Sequence, residues 1–545
     1  MLERKIKDLN IDWHFVVVLL TAIIFFLIIN YFNFLPFTSN DSATNRLIFN
    51  SPDETAYYWA AQNYYHQDTF LQFSNPSLLA GDLVSPRSLK IVNHNLVPTG
   101  FIGLSYLAAS FAKIFHNDSL ILLFSSLLTT TSLILLYLLL KKIYGPRVGL
   151  MSVILIMITP AYWYYASRPM VPNVPVCSLI FMAIYFGYLA IEKKSNLIMM
   201  LSGLFVGLAV LIRPSEFIWL GPLLLILLIF NKKKYCWSQI LFALPTFCLA
   251  LLPFFYFNII NFGSPLNIGY QIVSNSILSE QWFIGKYLLP FGFDLSTIIF
   301  NAQNYLKLIF SWQTTLFILA LWPILLSLLN KQNKVYRKNL LILIIFMVVS
   351  VIVLVYYGSW KFSDNPNPRA ITIGTSYVRY WLPIYILMSI TIALGIRLLT
   401  KRVKVATYLF FISILLVWSA YSFPAVYLEK QEGIIAIKNN ILNYQNIASS
   451  VLERVDQRAI IIAGRNDKIF FPARQTIFNL FYDVDYQRIT PLLQEYPVYW
   501  WDYNYAEKDL AYLNSKYRRY QWYLEKTTIG YGQMSLYQIQ NVKNK

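Results

Sequence analysis

Charge is scarce in this chain. Asp, Glu, Lys and Arg make up 13% of its 545 residues against 57% hydrophobic, and the mean hydropathy is +0.49. A soluble domain is about 25% charged, so a wholly water-soluble fold is excluded. Cysteine and histidine are rarer still. The three cysteines, Cys177, Cys236 and Cys248, all lie in apolar runs. Disulfides are therefore not expected, and no Cys/His spacing for a metal occurs. Acidic residues are also in deficit, 26 against 45 basic, for a net charge of +19. That excess does not point to nucleic acid. Residues 425–545 hold 15 Lys and Arg against 12 Asp and Glu, so they carry only +3, and the remaining +16 sits mostly in short clusters between apolar runs. This is the positive-inside pattern of membrane proteins.

What is abundant is long apolar sequence. About eleven runs approach or exceed the ~20 residues that span a bilayer. They cover about 13–34, 119–140, 148–166, 174–191, 197–212, 216–231, 235–257, 308–329, 339–357, 381–400 and 405–424. The first is too long for a signal-peptide core and lacks a small-residue cleavage site, so it reads as a retained anchor. Basic clusters recur at Arg4-Lys5-Lys7, Lys141-Lys142-Arg147, Lys193-Lys194, Lys232-Lys233-Lys234, Lys331 to Lys338 and Lys401 to Lys404. With all six on the cytoplasmic side the spans count consistently, provided that the apolar stretch 96–115 lies along the outer face and does not cross. The N-terminus is then cytoplasmic. The outer side receives a first loop of about 35–118, a short loop near 168–173, longer loops near 258–307 and 358–380, and the tail. The expected fold is a polytopic α-helical membrane protein of about 11 transmembrane helices, residues 1–424, followed by a small extracytoplasmic α/β domain, 425–545. In that domain Ala459 to Ala463 and Met534 to Ile539 read as strands and 506–517 as a helix.

Candidate chemistry begins at Ser51-Pro52-Asp53-Glu54-Thr55-Ala56-Tyr57. Locally this is a helix start: Ser51 stands three residues before Glu54, as in a capping box, and Pro52 suits the first helical position. An adjacent Asp and Glu on the outer face also offers a general base to an acceptor hydroxyl. Basic residues are less expected on that face, yet Arg168, Arg213, Arg369 and Arg379 lie there, with Lys361, Lys90 and His94. Each taken singly reads as snorkelling or pairing. Their recurrence at the outer ends of spans points to an anionic ligand, since Arg grips phosphate through two parallel bonds. In the tail, Asp483-Val484-Asp485 mimics a metal-binding pair but reads as a solvated loop. The aromatics Tyr499-Trp500-Trp501 and Tyr503 read as packing before they read as a sugar platform.

These residues together resemble the C-type (GT-C fold) glycosyltransferases of the protein O-mannosyltransferase and aminoarabinose transferase superfamily. Pro52-Asp53-Glu54-Thr55 with Tyr57 looks like the acidic motif of the first outer loop, and His94 to Phe115 is similar to the juxtamembrane helix after it. Ser167 to Pro175 resembles the second-loop motif. Leu201 to Pro214, with Gly203, Gly207 and Arg213-Pro214, resembles the Gly-rich helix that ends in a basic residue and Pro. Asn261 to Pro265 with Gly269-Tyr270 resembles an outer-loop pattern, and Arg379-Tyr380-Trp381-Leu382-Pro383 the entry to a late helix. The family often has an Asp where this chain has Asn173.

The resemblance implies an inverting transfer of a sugar from a polyprenyl-phosphate carrier to a hydroxyl of a protein, lipid or glycan, at the outer face of the plasma membrane. In it Asp53 acts as base and Glu54 orients the acceptor or an arginine. Arg213, Arg379, Arg168, Lys90 and Arg369 hold the donor phosphate, while Tyr57, His94 and Asn173 position sugar and acceptor. No metal, cofactor or nucleic acid is implied. The alternative is a multi-pass transporter or flippase for a lipid-linked or anionic substrate. Transporters carry ionisable residues inside their spans, whereas the charges here gather at span ends and in outer loops.

Overall fold

The computed structural model describes residues 12–33, 47–232, 234–235, 237–269, 289–329, 336–361, 370–400 and 404–542. Each of the eleven expected apolar runs is helical. Among the described residues nine helices are long and apolar enough to cross a membrane: Trp13–Tyr31, Leu120–Tyr144, Asn173–Lys193, Pro214–Asn231, Trp237–Phe262, Ser311–Leu328, Tyr336–Gly358, Leu382–Leu399 and Thr407–Leu428. A tenth is a pair, Pro146–Ile158 and Pro160–Ala166, bent by 65°. Thr159, extended at φ −63° and ψ 123°, precedes Pro160, and the proline ring disfavours a helical residue before it. The last run is the shorter helix Asn196–Ile212. The stretch 96–115 does not form a span. It makes a strand and the 12-residue helix Gly103–Ile114.

Contacts gather the chain into two compact units. The first comprises Met1–Asn33, Leu123–Leu252 and Leu278–Ala436. It holds most of the apolar helices, and small residues set how closely they approach. A methyl placed on Gly203 would lie 2.2 Å from the Ala243 carbonyl oxygen, and one on Gly207 would lie 2.6 Å from Ala250 Cβ. Helix Asn196–Ile212 therefore rests backbone to backbone on Trp237–Phe262, the usual device where lipid supplies no hydrophobic drive to pack helices.

The second unit comprises Phe34–Leu122, Pro253–Ile277 and Ile437–Lys545. It brings the loop after the first apolar helix together with the tail. The loop begins with the helix Pro52–Gln67 and continues into a three-stranded antiparallel sheet of β1 (Gln72–Phe73), β2 (Leu89–Val92) and β3 (Asn95–Pro98), in the order β1-β3-β2. Asn93 and His94, at φ 48° and 61°, close the β2–β3 hairpin. Two left-handed residues match the twist of the flanking strands. Helix Gly103–Ile114 buries Leu104, Ser105, Ala108, Ala109 and Ala112, one helical stripe, while Ile114 is exposed. The Ser105 hydroxyl donates to the Tyr57 carbonyl at 2.8 Å, tying this helix to Pro52–Gln67.

The tail forms a five-stranded sheet of β4 (Ile460–Ile462), β5 (Gln475–Ile477), β6 (Val498–Tyr503), β7 (Trp522–Tyr531) and β8 (Met534–Asn541), in the order β5-β4-β6-β8-β7. β4 pairs in parallel with β5 and β6 and is buried along its whole length, which explains its unbroken Ile run. The helix expected near 506–517 spans Glu507–Tyr517.

Candidate functional site

The acidic turn is built by local capping. Ser51 is extended, at φ −110° and ψ 139°, and its hydroxyl accepts from the Asp53 N–H at 3.3 Å. The cap thus forms on the second helical N–H rather than on that of Glu54. Pro52 occupies the first turn, where its missing N–H costs nothing. Glu54 is 3% exposed, while Asp53 is half-buried.

Asp53 is also oriented from across the loop. The Ser88 hydroxyl donates to Asp53 Oδ1 at 2.7 Å. Ser88 is left-handed, at φ 69°, a conformation that costs a non-glycine residue about 1–2 kcal/mol. Thr99 holds it there: its N–H and its hydroxyl both donate to the Ser88 carbonyl, at 3.1 and 2.9 Å. A strained residue fixed on both sides, with its side chain on a carboxylate, is a common mark of a functional position. Nothing in the sequence signals it, because serine gives no warning of a positive φ.

Other first-loop candidates are dispersed around this turn. Tyr57 is buried, and Gly100 makes room for it: a methyl on Gly100 would lie 2.5 Å from the Tyr57 hydroxyl. Lys90 is half-buried in β2, paired in register with Val97. It alternates with Leu89 and Ile91, which pack into the apolar core of this unit. His94 is exposed in the hairpin turn, its Nδ1 3.0 Å from the Ser77 hydroxyl.

The tail reaches the acidic turn through Asp467 and Lys468. Asp467 is 1% exposed, and its Oδ2 accepts from the Arg87 N–H at 2.5 Å. Burial pushes its carboxyl above the ordinary range, and the Arg87 N–H partly counters this. The Lys468 ammonium donates to the Asn50 carbonyl at 2.5 Å. Asp483 and Asp485, by contrast, have structural work. Asp485 Oδ2 accepts from the N–H groups of Phe481 and Tyr482, at 2.9 and 3.0 Å, and Asp483 accepts from Arg519 at 3.1 Å. Trp501 is buried in the sheet core, whereas Tyr503 is exposed. Among the described residues no group of three His, Cys, Asp or Glu is placed to hold a metal ion.

In the first unit the arginines gather on an aromatic cluster. Arg213 caps Asn196–Ile212, pulled out of helical geometry ahead of Pro214. Arg379 lies in the last turn of the short helix Ser376–Tyr380. Their guanidinium carbons lie 4.7 and 5.1 Å from the centroid of the same ring, that of Tyr380. The two charges are therefore at most about 10 Å apart, a repulsion of at least ~1.7 kcal/mol at an effective dielectric of ~20. Tyr357 stacks on the same ring at 4.5 Å. Arg168 donates to the Tyr164 hydroxyl at 3.3 Å, and Tyr165 lies within electrostatic reach of both Arg168 and Arg379. Asn173, which starts helix Asn173–Lys193, is buried, and its Oδ1 has no hydrogen-bond partner among the described residues. Arg369 lies outside the described residues, as does Tyr270.

Sequence reasoning passes over Glu216. Its Oε1 is 3.1 Å from Arg213 Nε and accepts from the Tyr357 hydroxyl at 3.0 Å; its Oε2 accepts from Trp219 Nε1 at 2.5 Å. The (i, i+3) spacing in Arg213-Pro214-Ser215-Glu216 is the signal that could have found it. A buried carboxylate at that distance offsets the Arg213 charge by more than the mutual repulsion of the arginines. Arg213 is thereby partly committed to Glu216.

Comparison with known proteins follows the same lines. Residues 99–257 match the family model described as dolichyl-phosphate-mannose-protein mannosyltransferase. No curated protein sequence matches the chain. Among solved structures, ArnT from Cupriavidus metallidurans superposes with a TM-score of 0.54 in its apo form and 0.53 in a second form, at 10% identity, over 96% of this chain and 97% of that one. The second form is bound to undecaprenyl phosphate. The Archaeoglobus fulgidus oligosaccharyltransferase tethered with an acceptor peptide gives 0.53 and 14%, over 96% and 74%. At such identities the likeness is one of architecture, and it covers nearly the whole chain: this is a multi-pass membrane protein with the GT-C fold.

Proposed function

We propose that the chain is an inverting glycosyltransferase that moves a sugar from a polyprenyl-phosphate carrier to a hydroxyl acceptor at the outer face of the plasma membrane. The observation that carries this reading is the Asp53 carboxylate, half-buried on a capped helix start and oriented through Oδ1 by Ser88. Asp53 takes the proton of the acceptor hydroxyl, the oxygen attacks the anomeric carbon, and polyprenyl phosphate leaves from the opposite side. A positioned base contributes typically 10²–10⁴-fold. Glu54, Tyr57, His94 and Asn173 are assigned to orienting acceptor and sugar.

The phosphate is assigned to Arg379 and Arg213, with Arg168, Lys90 and Arg369 in support. Cations aimed at the leaving group offset the charge that develops there, the electrostatic contribution that usually dominates. The relatives support this chemistry by their named ligands, undecaprenyl phosphate for ArnT and an acceptor peptide for the oligosaccharyltransferase.

The test is turnover of polyprenyl-phosphate-linked sugars by the full chain in membranes. Asp53→Asn is expected to lose at least ~100-fold in turnover with normal expression. Arg379→Ala is expected to raise the apparent KM for donor about tenfold or more, the loss of one charge-assisted bond. Full turnover by Asp53→Asn would remove Asp53 as base, and an unchanged donor KM in Arg379→Ala would remove the phosphate assignment.

A further inference from the structure

The tail's contacts with the acidic turn carry an inference about what the tail is for. Asp467 and Lys468 are adjacent, at the start of the four-residue helical turn Asp467–Phe470. They grip two different segments of the first loop, one before and one after Asp53 in sequence. Lys468 Nζ holds the Asn50 carbonyl, the residue before the Ser51 cap. Asp467 Oδ2 holds the Arg87 N–H, and the next residue is Ser88, whose hydroxyl orients Asp53 Oδ1. Both grips are 2.5 Å long. The two loop segments are 37 residues apart in sequence, from Asn50 to Arg87, and the adjacent tail residues Asp467 and Lys468 bridge them.

We infer that Asp467 and Lys468 are positioning residues for the Asp53 carboxylate, a two-point clamp by which the C-terminal domain sets the geometry of the acidic turn. This rests on the reading of Asp53 as base. Four features support it. The clamp is non-local, so local propensity does not explain it. Asp467 is buried, which makes its acceptor bond expensive to leave unmade. The segment it holds contains a residue in a strained conformation, which persists only when neighbours over-determine it. Lys468 also packs its ammonium over the Tyr444 ring at 4.8 Å, within the same unit, so its side chain has a fixed approach to Asn50.

The test uses the full-length protein in detergent and two measurements. Carbodiimide with glycine ethyl ester, read by mass spectrometry, reports how fast Asp53 is modified relative to Asp483 and Glu507, far along the tail. Turnover of a polyprenyl-phosphate sugar gives kcat and KM. Asp467→Ala and Lys468→Met each remove a grip. They are expected to raise Asp53 modification several-fold with Asp483 and Glu507 unchanged, and to lower kcat about tenfold at unchanged donor KM, the scale of one lost buried hydrogen bond. Asp467→Asn keeps an acceptor for Arg87 and Lys468→Arg keeps a donor for Asn50, so both are expected to stay near wild type in both measurements. Wild-type modification in Lys468→Met and Asp467→Ala overturns the clamp. So does a loss of activity in Lys468→Arg equal to that in Lys468→Met. Modification is measured without turnover, so failure of Asp53 as base, read from Asp53→Asn, is distinguished from failure of the clamp.

Discussion

Ser88 is the residue where conformation and chemistry meet. At φ 69° it would be more comfortable as glycine, yet only a hydroxyl can reach Asp53 Oδ1. The two substitutions Ser88→Gly and Ser88→Ala separate these demands. Both remove a hydrogen bond to a charged group, so both are expected to lose roughly tenfold in turnover. Glycine also releases the left-handed strain and should raise the melting temperature in detergent, whereas alanine keeps the strain and should not. Wild-type turnover in Ser88→Ala would show that the hydroxyl does not orient the base. At this scale the sequence is legible where bonds are local. Ser51, Pro52 and the acidic pair announce a cap because each bond closes within a few residues, and the Arg213–Glu216 pair is legible for the same reason. Ser88, Asp467 and Lys468 are not, since their partners lie 35 to 418 residues away.

Helix elements are written more plainly. Hydropathy gives all eleven apolar runs because the bilayer sets one length for every span. The refusal of 96–115 to cross follows from its polar start and from the left-handed Asn93-His94 turn that feeds it. The break at Thr159 is legible only as a proline inside a run, and whether such a proline kinks or divides a helix depends on packing. The small residues of Asn196–Ile212 make a prediction at this scale. Gly203→Ala pushes a methyl against the Ala243 carbonyl, so the helices must separate, and overpacking of this kind costs about 1–3 kcal/mol. A fall of several degrees in the melting temperature of detergent-solubilised protein is expected, with a similar fall for Gly207→Ala. No change in either would show that this contact has slack.

Across the whole molecule, the charge distribution makes the firmest claim. Six basic clusters alternate with the segments that hold the acidic turn and the gathered arginines. This predicts an orientation. Alkaline phosphatase fused after Lys545 should be active, because that enzyme matures only outside the cytoplasm, and a fusion after Lys194 should be inactive. The reverse pattern would put the acidic turn on the wrong side for a lipid-linked donor at the outer face. Hydropathy cannot foretell that the first outer loop and the tail fold as one unit, since it reads neighbours and not partners across hundreds of residues.

The grip of Lys468 on Asn50 has a consequence in time as well as space. The two residues are 418 apart, so a ribosome that has made the acidic turn still has most of the protein to synthesise before the clamp exists. Through that interval the turn is threaded and exposed without its second anchor. If the clamp sets the base, a nascent or prematurely ended chain carries every arginine of the first unit and still lacks a competent Asp53. Activity then switches on late, as a signature that synthesis has run past residue 468.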